Sequence, residues 1–67
     1  MNYLADLIAL KTIILSQNLT LTALSNKAGV SPVSLSKICN GGKCRTMTAN
    51  KIATALGKPV TELFTVE

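Results

Sequence analysis

Apolar residues along this 67-residue chain recur mostly at helical spacing, three and four positions apart. The firmest stripe is Ala49, Ile52, Ala53 and Leu56, which predicts a helix over 47–56, with Thr46 or Thr48 as its cap and Gly57 and Pro59 as its end. Two shorter units precede it. Leu21, Ala23, Leu24 and Ala28 predict a helix over 21–28, capped by Thr20 and ended by Gly29, which accepts the left-handed region without a Cβ penalty. Val30 then turns inward, and Ser31 followed by Pro32 opens a helix over 32–39, proline being tolerated where its missing N–H costs nothing. Asn40-Gly41-Gly42 stops it. The opening run YLADLIALKTIIL predicts a first helix over 3–17, and Val60, Leu63 and Phe64 form the apolar face of a last one over 60–64. The expected fold is all-α: one five-helix domain over residues 1–67.

Two short helices joined by a tight glycine-containing turn, 21–28 and 32–39, have the spacing of a helix-turn-helix. In the second of them Leu35 and Ile38 face its partner, so Pro32, Val33, Ser34, Ser36 and Lys37 lie on or beside the outward surface. Such a helix can enter the major groove of DNA.

Charge strengthens that expectation. The chain carries a net charge of +4, and all its basic residues (Lys11, Lys27, Lys37, Lys43, Arg45, Lys51, Lys58) lie between Asp6 and Glu62, a stretch with no acid. Lys37, Lys43, Arg45 and Lys51 cover the outward helix, the loop after it and the start of the next helix, as a phosphate-tracking footprint should. A solvated surface that merely lacks acids is the plainer reading of charge alone.

Other chemistry is sparse. The chain has no His, and its acids are Asp6, Glu62 and Glu67 at the two ends, so neither a nucleophile–base arrangement nor a carboxylate pair is available and no enzyme is expected. Cys39 and Cys44 without histidine cannot make a four-ligand zinc site in one subunit; a buried thiol and a loop thiol are expected, with no metal and no cofactor. Asp6 and Lys11 interrupt the apolar opening run, which favours a buried helix over a targeting segment or a membrane span. A cytoplasmic protein with no membrane partner and no small-molecule ligand is expected.

GVSPVSLSKICNGG followed by TANKIATALGKPVTELF resembles the Cro/repressor (Xre-type) helix-turn-helix family over about positions 10 to 64. The resemblance implies a transcriptional regulator whose third helix reads double-stranded DNA through Ser31, Pro32, Val33, Ser34 and, a turn later, Lys37. Lys37 can donate to guanine O6 and N7 or settle on a phosphate, and is assigned to the bases. Phosphate contacts are expected from Thr20, Thr22, Asn40, Lys43 and Arg45, with Thr46 and Thr48 as weaker candidates. Each has a duller alternative: the threonines can simply cap helices, Asn40 can terminate one, and the loop charges can serve solubility. Lys43 and Arg45 lead the set because the neighbouring glycines allow close backbone approach to a phosphate.

The chain departs from the family pattern at three places. Leu21 stands where many relatives carry a phosphate-binding Gln, so that contact is either lost or moved to Thr20 or Thr22. Pro32 and Val33 stand where well-known relatives present amides to adenine; both can pack on a thymine methyl instead. Ile14 and Cys39 occupy the positions of a largely buried Arg–Glu pair, so an apolar contact with a buried, inert thiol is expected there. A homodimer, forming off DNA or on DNA only, is expected to use Val60, Phe64 and Val66, with part of the first helix as an alternative. Among functions, a small Cro-like repressor on a pseudo-palindromic operator is favoured over an antitoxin or accessory protein that also binds a protein partner.

Overall fold

The computed structural model describes residues 2–66. Along the chain run β1 (Asn2–Ala5), α1 (Leu7–Ser16), α2 (Leu21–Ala28), α3 (Pro32–Cys39), β2 (Lys43–Arg45), α4 (Thr46–Leu56), α5 (Val60–Leu63) and β3 (Phe64–Val66). All five expected helices form, and α2 and α3 have the expected bounds. The all-α expectation needs correction, because three short strands make an antiparallel sheet in the order β2-β1-β3.

The reason lies at Asp6. Its carboxylate accepts the Ala9 N–H at 3.1 Å, so α1 starts at Leu7 and residues 2–5 are left for pairing. Tyr3 lies opposite Cys44 and Val66, Leu4 opposite Lys43 and Thr65, Ala5 opposite Phe64, and Asn2 opposite Arg45. Alternation then turns Tyr3, Ala5, Cys44 and Phe64 toward the core, while Asn2, Leu4, Lys43, Arg45 and Thr65 face outward. The Asp6 N–H donates to the Leu63 carbonyl at 2.8 Å, tying the start of the chain to the end of α5.

Three of the helices end in the same way. After α1, α3 and α4, paired 6→1 and 5→2 bonds run back from the two residues beyond the helix: Leu19 and Asn18 to Ile14 and Leu15, Gly42 and Gly41 to Lys37 and Ile38, Lys58 and Gly57 to Ala53 and Thr54. After α2, Val30 donates to Ser25 past Gly29. Asn18 takes its place at φ 55 without being glycine. Thr20 and Ser31 cap α2 and α3 as expected, their hydroxyls accepting from Ala23 and Ser34. Neither Thr46 nor Thr48 caps α4. Arg45 holds that position, with no side-chain bond to the first turn.

Leu10, Leu24, Leu35, Ile38, Ile52 and Leu63 are the large side chains fully withdrawn from water, one or two from each helix. The Gln17 side chain adds a polar tie, its Nε2 donating to the Leu56 carbonyl at 2.7 Å, so the end of α1 satisfies the end of α4. No single helix among the described residues is long and apolar enough to cross a membrane.

Candidate nucleic-acid interface

α3 is held by one face only. Leu35, Ile38 and Cys39 are buried, whereas Pro32, Val33, Ser34, Ser36 and Lys37 are all exposed, so the helix lies on the surface with its first turn open. Ser31 caps that turn: its Oγ accepts the Ser34 N–H at 3.2 Å and lies 2.9 Å from Ser34 Oγ, so the two hydroxyls share a hydrogen bond. One of the two keeps its hydrogen for an outside partner, since only one can donate to the other.

The flanking residues form two groups. Thr20 and Thr22 are exposed at the start of α2, and Leu21 between them shares a groove of about 320 Å3 with Lys11, Ile14, Leu15, Cys39 and Asn40. The start of α2 therefore lies beside the end of α3. Lys11 is a cation that sequence spacing did not single out, because its neighbours come from three different helices. Asn40 ends α3 by donating from Nδ2 to the Ser36 carbonyl at 2.8 Å, and keeps one amide hydrogen for another partner. Lys43 and Arg45 project from the outer face of β2 on either side of buried Cys44, and Arg45 lines a second groove with Asn2, Thr46 and Met47. There the N–H groups of the first α4 turn meet no side-chain acceptor. Gly42 plays a different part from the one expected: its missing Cβ makes room for the Lys37 carbonyl, within the protein.

A helix-turn-helix family model matches residues 10–63, from within α1 to the end of α5. The chain belongs to the Cro/C1-type helix-turn-helix family. Its members are DNA-binding regulators, and the matched span takes in α2, α3 and the whole groove between Lys11 and Asn40. No curated protein and no solved structure gave a match.

Where α1 meets α3 the lining is apolar, as Ile14 and Cys39 are both buried and line one groove. Burial pushes the Cys39 thiol above its ordinary pKa, an effect Lys11 partly opposes; burial alone raises Cys44. Cys44 is thus a core residue of β2 and not the loop thiol expected from the sequence. Because the folded state favours the neutral thiols, the unfolded chain gives up those protons first. Stability is complete below the ordinary thiol value, about 8.5, and falls as pH rises above it. Denaturation midpoints across that range should show the fall, and a Cys39→Ala/Cys44→Ala variant should lack this component. An aromatic disulfide reagent should label the native thiols far more slowly than the denatured ones.

The expected dimer surface also changes. Phe64 is only 4% exposed and lies in β3 against Ala5, and Val60 packs partly into the core, so of that set Val66 alone is open. Exposed apolar surface lies instead on α1, where Ile8 and Leu15 are 81% and 74% accessible and, seven apart, share a face.

Proposed function

We propose that this chain is a sequence-specific regulator of the small Cro-like repressor kind, which occupies a pseudo-palindromic operator with α3 in the major groove and excludes other proteins from it. Support comes chiefly from one observation: α3 opens on exposed Pro32, Val33, Ser34 and Lys37 within a stretch of chain that has seven cations and no acid. The bases are met by Ser34, Lys37, Pro32 and Val33, with Ser31 holding the turn. Phosphates are met by Thr20, Thr22, Asn40, Lys43 and Arg45, and Lys11 joins them because it shares the groove of Leu21 and Asn40. A cation there stands in for the contact that Leu21 cannot make. The role is binding without catalysis, in keeping with a chain poor in acids and lacking histidine.

One such domain reads few base pairs, so two copies are proposed, with recognition helices about 34 Å apart on the duplex. Ile8 and Leu15 provide the apolar face for that contact. The same face is the observation that favours the second reading, an accessory protein that also holds a protein partner.

Selection from a random duplex pool, followed by titration and sedimentation across salt concentrations, tests the proposal. A salt-sensitive complex with two chains per selected site is expected. Replacing Lys11, Lys43 or Arg45 by Ala should weaken selected and random duplexes alike and reduce the slope of log K against log salt by about 0.9 each. Ser34→Ala and Lys37→Ala should instead change which sequence is selected. Absence of any salt-sensitive complex would overturn the assignment.

A further inference from the structure

We propose that the groove where α1 crosses the start of α2 and the end of α3 binds a small amphiphilic carboxylate, an alkyl chain with one anionic head, which displaces DNA phosphate from Lys11 and Asn40. The displacement rests on the DNA-binding role proposed above; the site does not. Lys11, Ile14, Leu15, Leu21, Cys39 and Asn40 line the groove, so its walls are largely apolar, with one cation, one amide and no acid. No local pattern announces it, because the lining is drawn from three helices.

That lining asks for two kinds of partner at once. Leu15 is 74% and Leu21 42% exposed, so both keep apolar surface in water beside buried Ile14 and Cys39, and covering that surface is favourable. Lys11 and Asn40 stand exposed at the same groove, and Asn40 keeps one amide hydrogen after its bond to the Ser36 carbonyl. Burial keeps the Cys39 thiol neutral, so it lines the groove as an apolar group and leaves the charge of Lys11 for an outside anion. A DNA phosphate answers the cation and the amide and leaves the leucines in water. A carboxylate on an alkyl chain answers all four. Small-molecule sites span about 300–1,000 Å3, so a groove of about 320 Å3 takes one short chain and no fused-ring ligand. A bound carboxylate and a phosphate at Lys11 repel each other, so ligand and duplex exclude one another. Leu15 also belongs to the face proposed for a second copy, which makes self-association the rival occupant.

Calorimetric titration of the full chain without DNA tests the site. The ligands are hexanoate, octanoate and decanoate, with octanol and octylamine as matched controls, and backbone amide shifts place them. Octanoate is expected to shift Ile14, Leu15, Leu21 and Asn40, and each added methylene to tighten binding by up to about fourfold. Octanol should bind more weakly, and octylamine more weakly still. Lys11→Gln should bind octanoate and octanol alike, and Leu21→Ser should flatten the dependence on chain length. Added to the complex with the selected duplex, octanoate should lower the duplex affinity of the native chain. Octylamine binding as tightly as octanoate, or no shift at the groove, overturns the site. Shifts at Leu15 and Leu21 that follow protein concentration and ignore octanoate give the groove to a second copy, and overturn it too. Octanoate bound without loss of duplex affinity overturns the displacement alone. A chain that binds octanoate and no duplex overturns the DNA-binding role and leaves the site standing.

Discussion

Leu35→Ala is expected to leave the chain largely unfolded. Leu35 has no accessible surface and sits on the inner face of α3 between α2 and the rest of the core. Truncating a fully buried leucine costs about 3–5 kcal/mol, from lost transfer energy and from the cavity left behind. A domain of this length has roughly 3–10 kcal/mol in total, so the loss is a large share of it. The melting temperature should fall on the order of 15–30 °C, with helical circular dichroism reduced even at room temperature. Val33→Ala, two positions away on the same helix, should leave stability within about 0.5 kcal/mol, because its side chain stands in water. The pair separates two ways of losing DNA binding. Leu35→Ala removes the platform, and Val33→Ala alters the reading surface on an intact one. A melting temperature within a few degrees of the parent for Leu35→Ala would mean that α3 is not anchored as described.

The helix-turn-helix could be read from sequence because its signals are local. Thr20, Gly29, Ser31 and Pro32 each act within a residue or a turn of themselves, and the observed caps match them. The sheet could not. β1 is four residues of an apolar run that continues into α1, and its partners lie at Lys43–Arg45 and Phe64–Val66, far along the chain. Periodicity does not separate so short a strand from the helix after it, and only Asp6 as a cap marks the border. The same limit moved Phe64 from the surface to the core: its burial follows from pairing with Ala5, which no local pattern encodes. Asn18 is a further case, a left-handed residue without the glycine that usually announces one.

At the candidate site, the outward set on α3 was legible from the inward positions of Leu35 and Ile38. Which groups share a groove was not. Lys11 stands beside Leu21 and Asn40 only because α1 packs across the start of α2 and the end of α3. The pairing of the Ser31 and Ser34 hydroxyls is likewise a product of the cap, since either serine could in principle have faced a base alone.

Gly42→Ala should damage stability and DNA binding together, for a reason unlike that at the other glycines. Gly29, Gly41 and Gly57 have positive φ and open space around a would-be Cβ, so alanine there is strained by backbone conformation, at a cost of about 1–2 kcal/mol. Gly42 lacks that feature. A Cβ at Gly42 would lie 2.7 Å from the Lys37 carbonyl oxygen and 3.1 Å from its carbon, both backbone atoms at the end of α3. The Gly42 N–H donates to that same oxygen at 2.8 Å, so the clash cannot be relieved without stretching the bond that closes the helix. A forced fit of this kind costs about 1–3 kcal/mol, before any loss of the hydrogen bond. What moves is the segment leading to Lys43 and Arg45, which fixes their position relative to the exposed face of α3. Affinity for duplex should therefore drop further than the folded fraction accounts for, measured at a temperature where the variant is still folded. Gly29→Ala gives the comparison, because it strains the turn ahead of α3 without touching that segment. Should Gly42→Ala melt with the parent protein and bind DNA with the same salt slope, the close approach of loop to helix end does not hold α3 and the β2 cations in register.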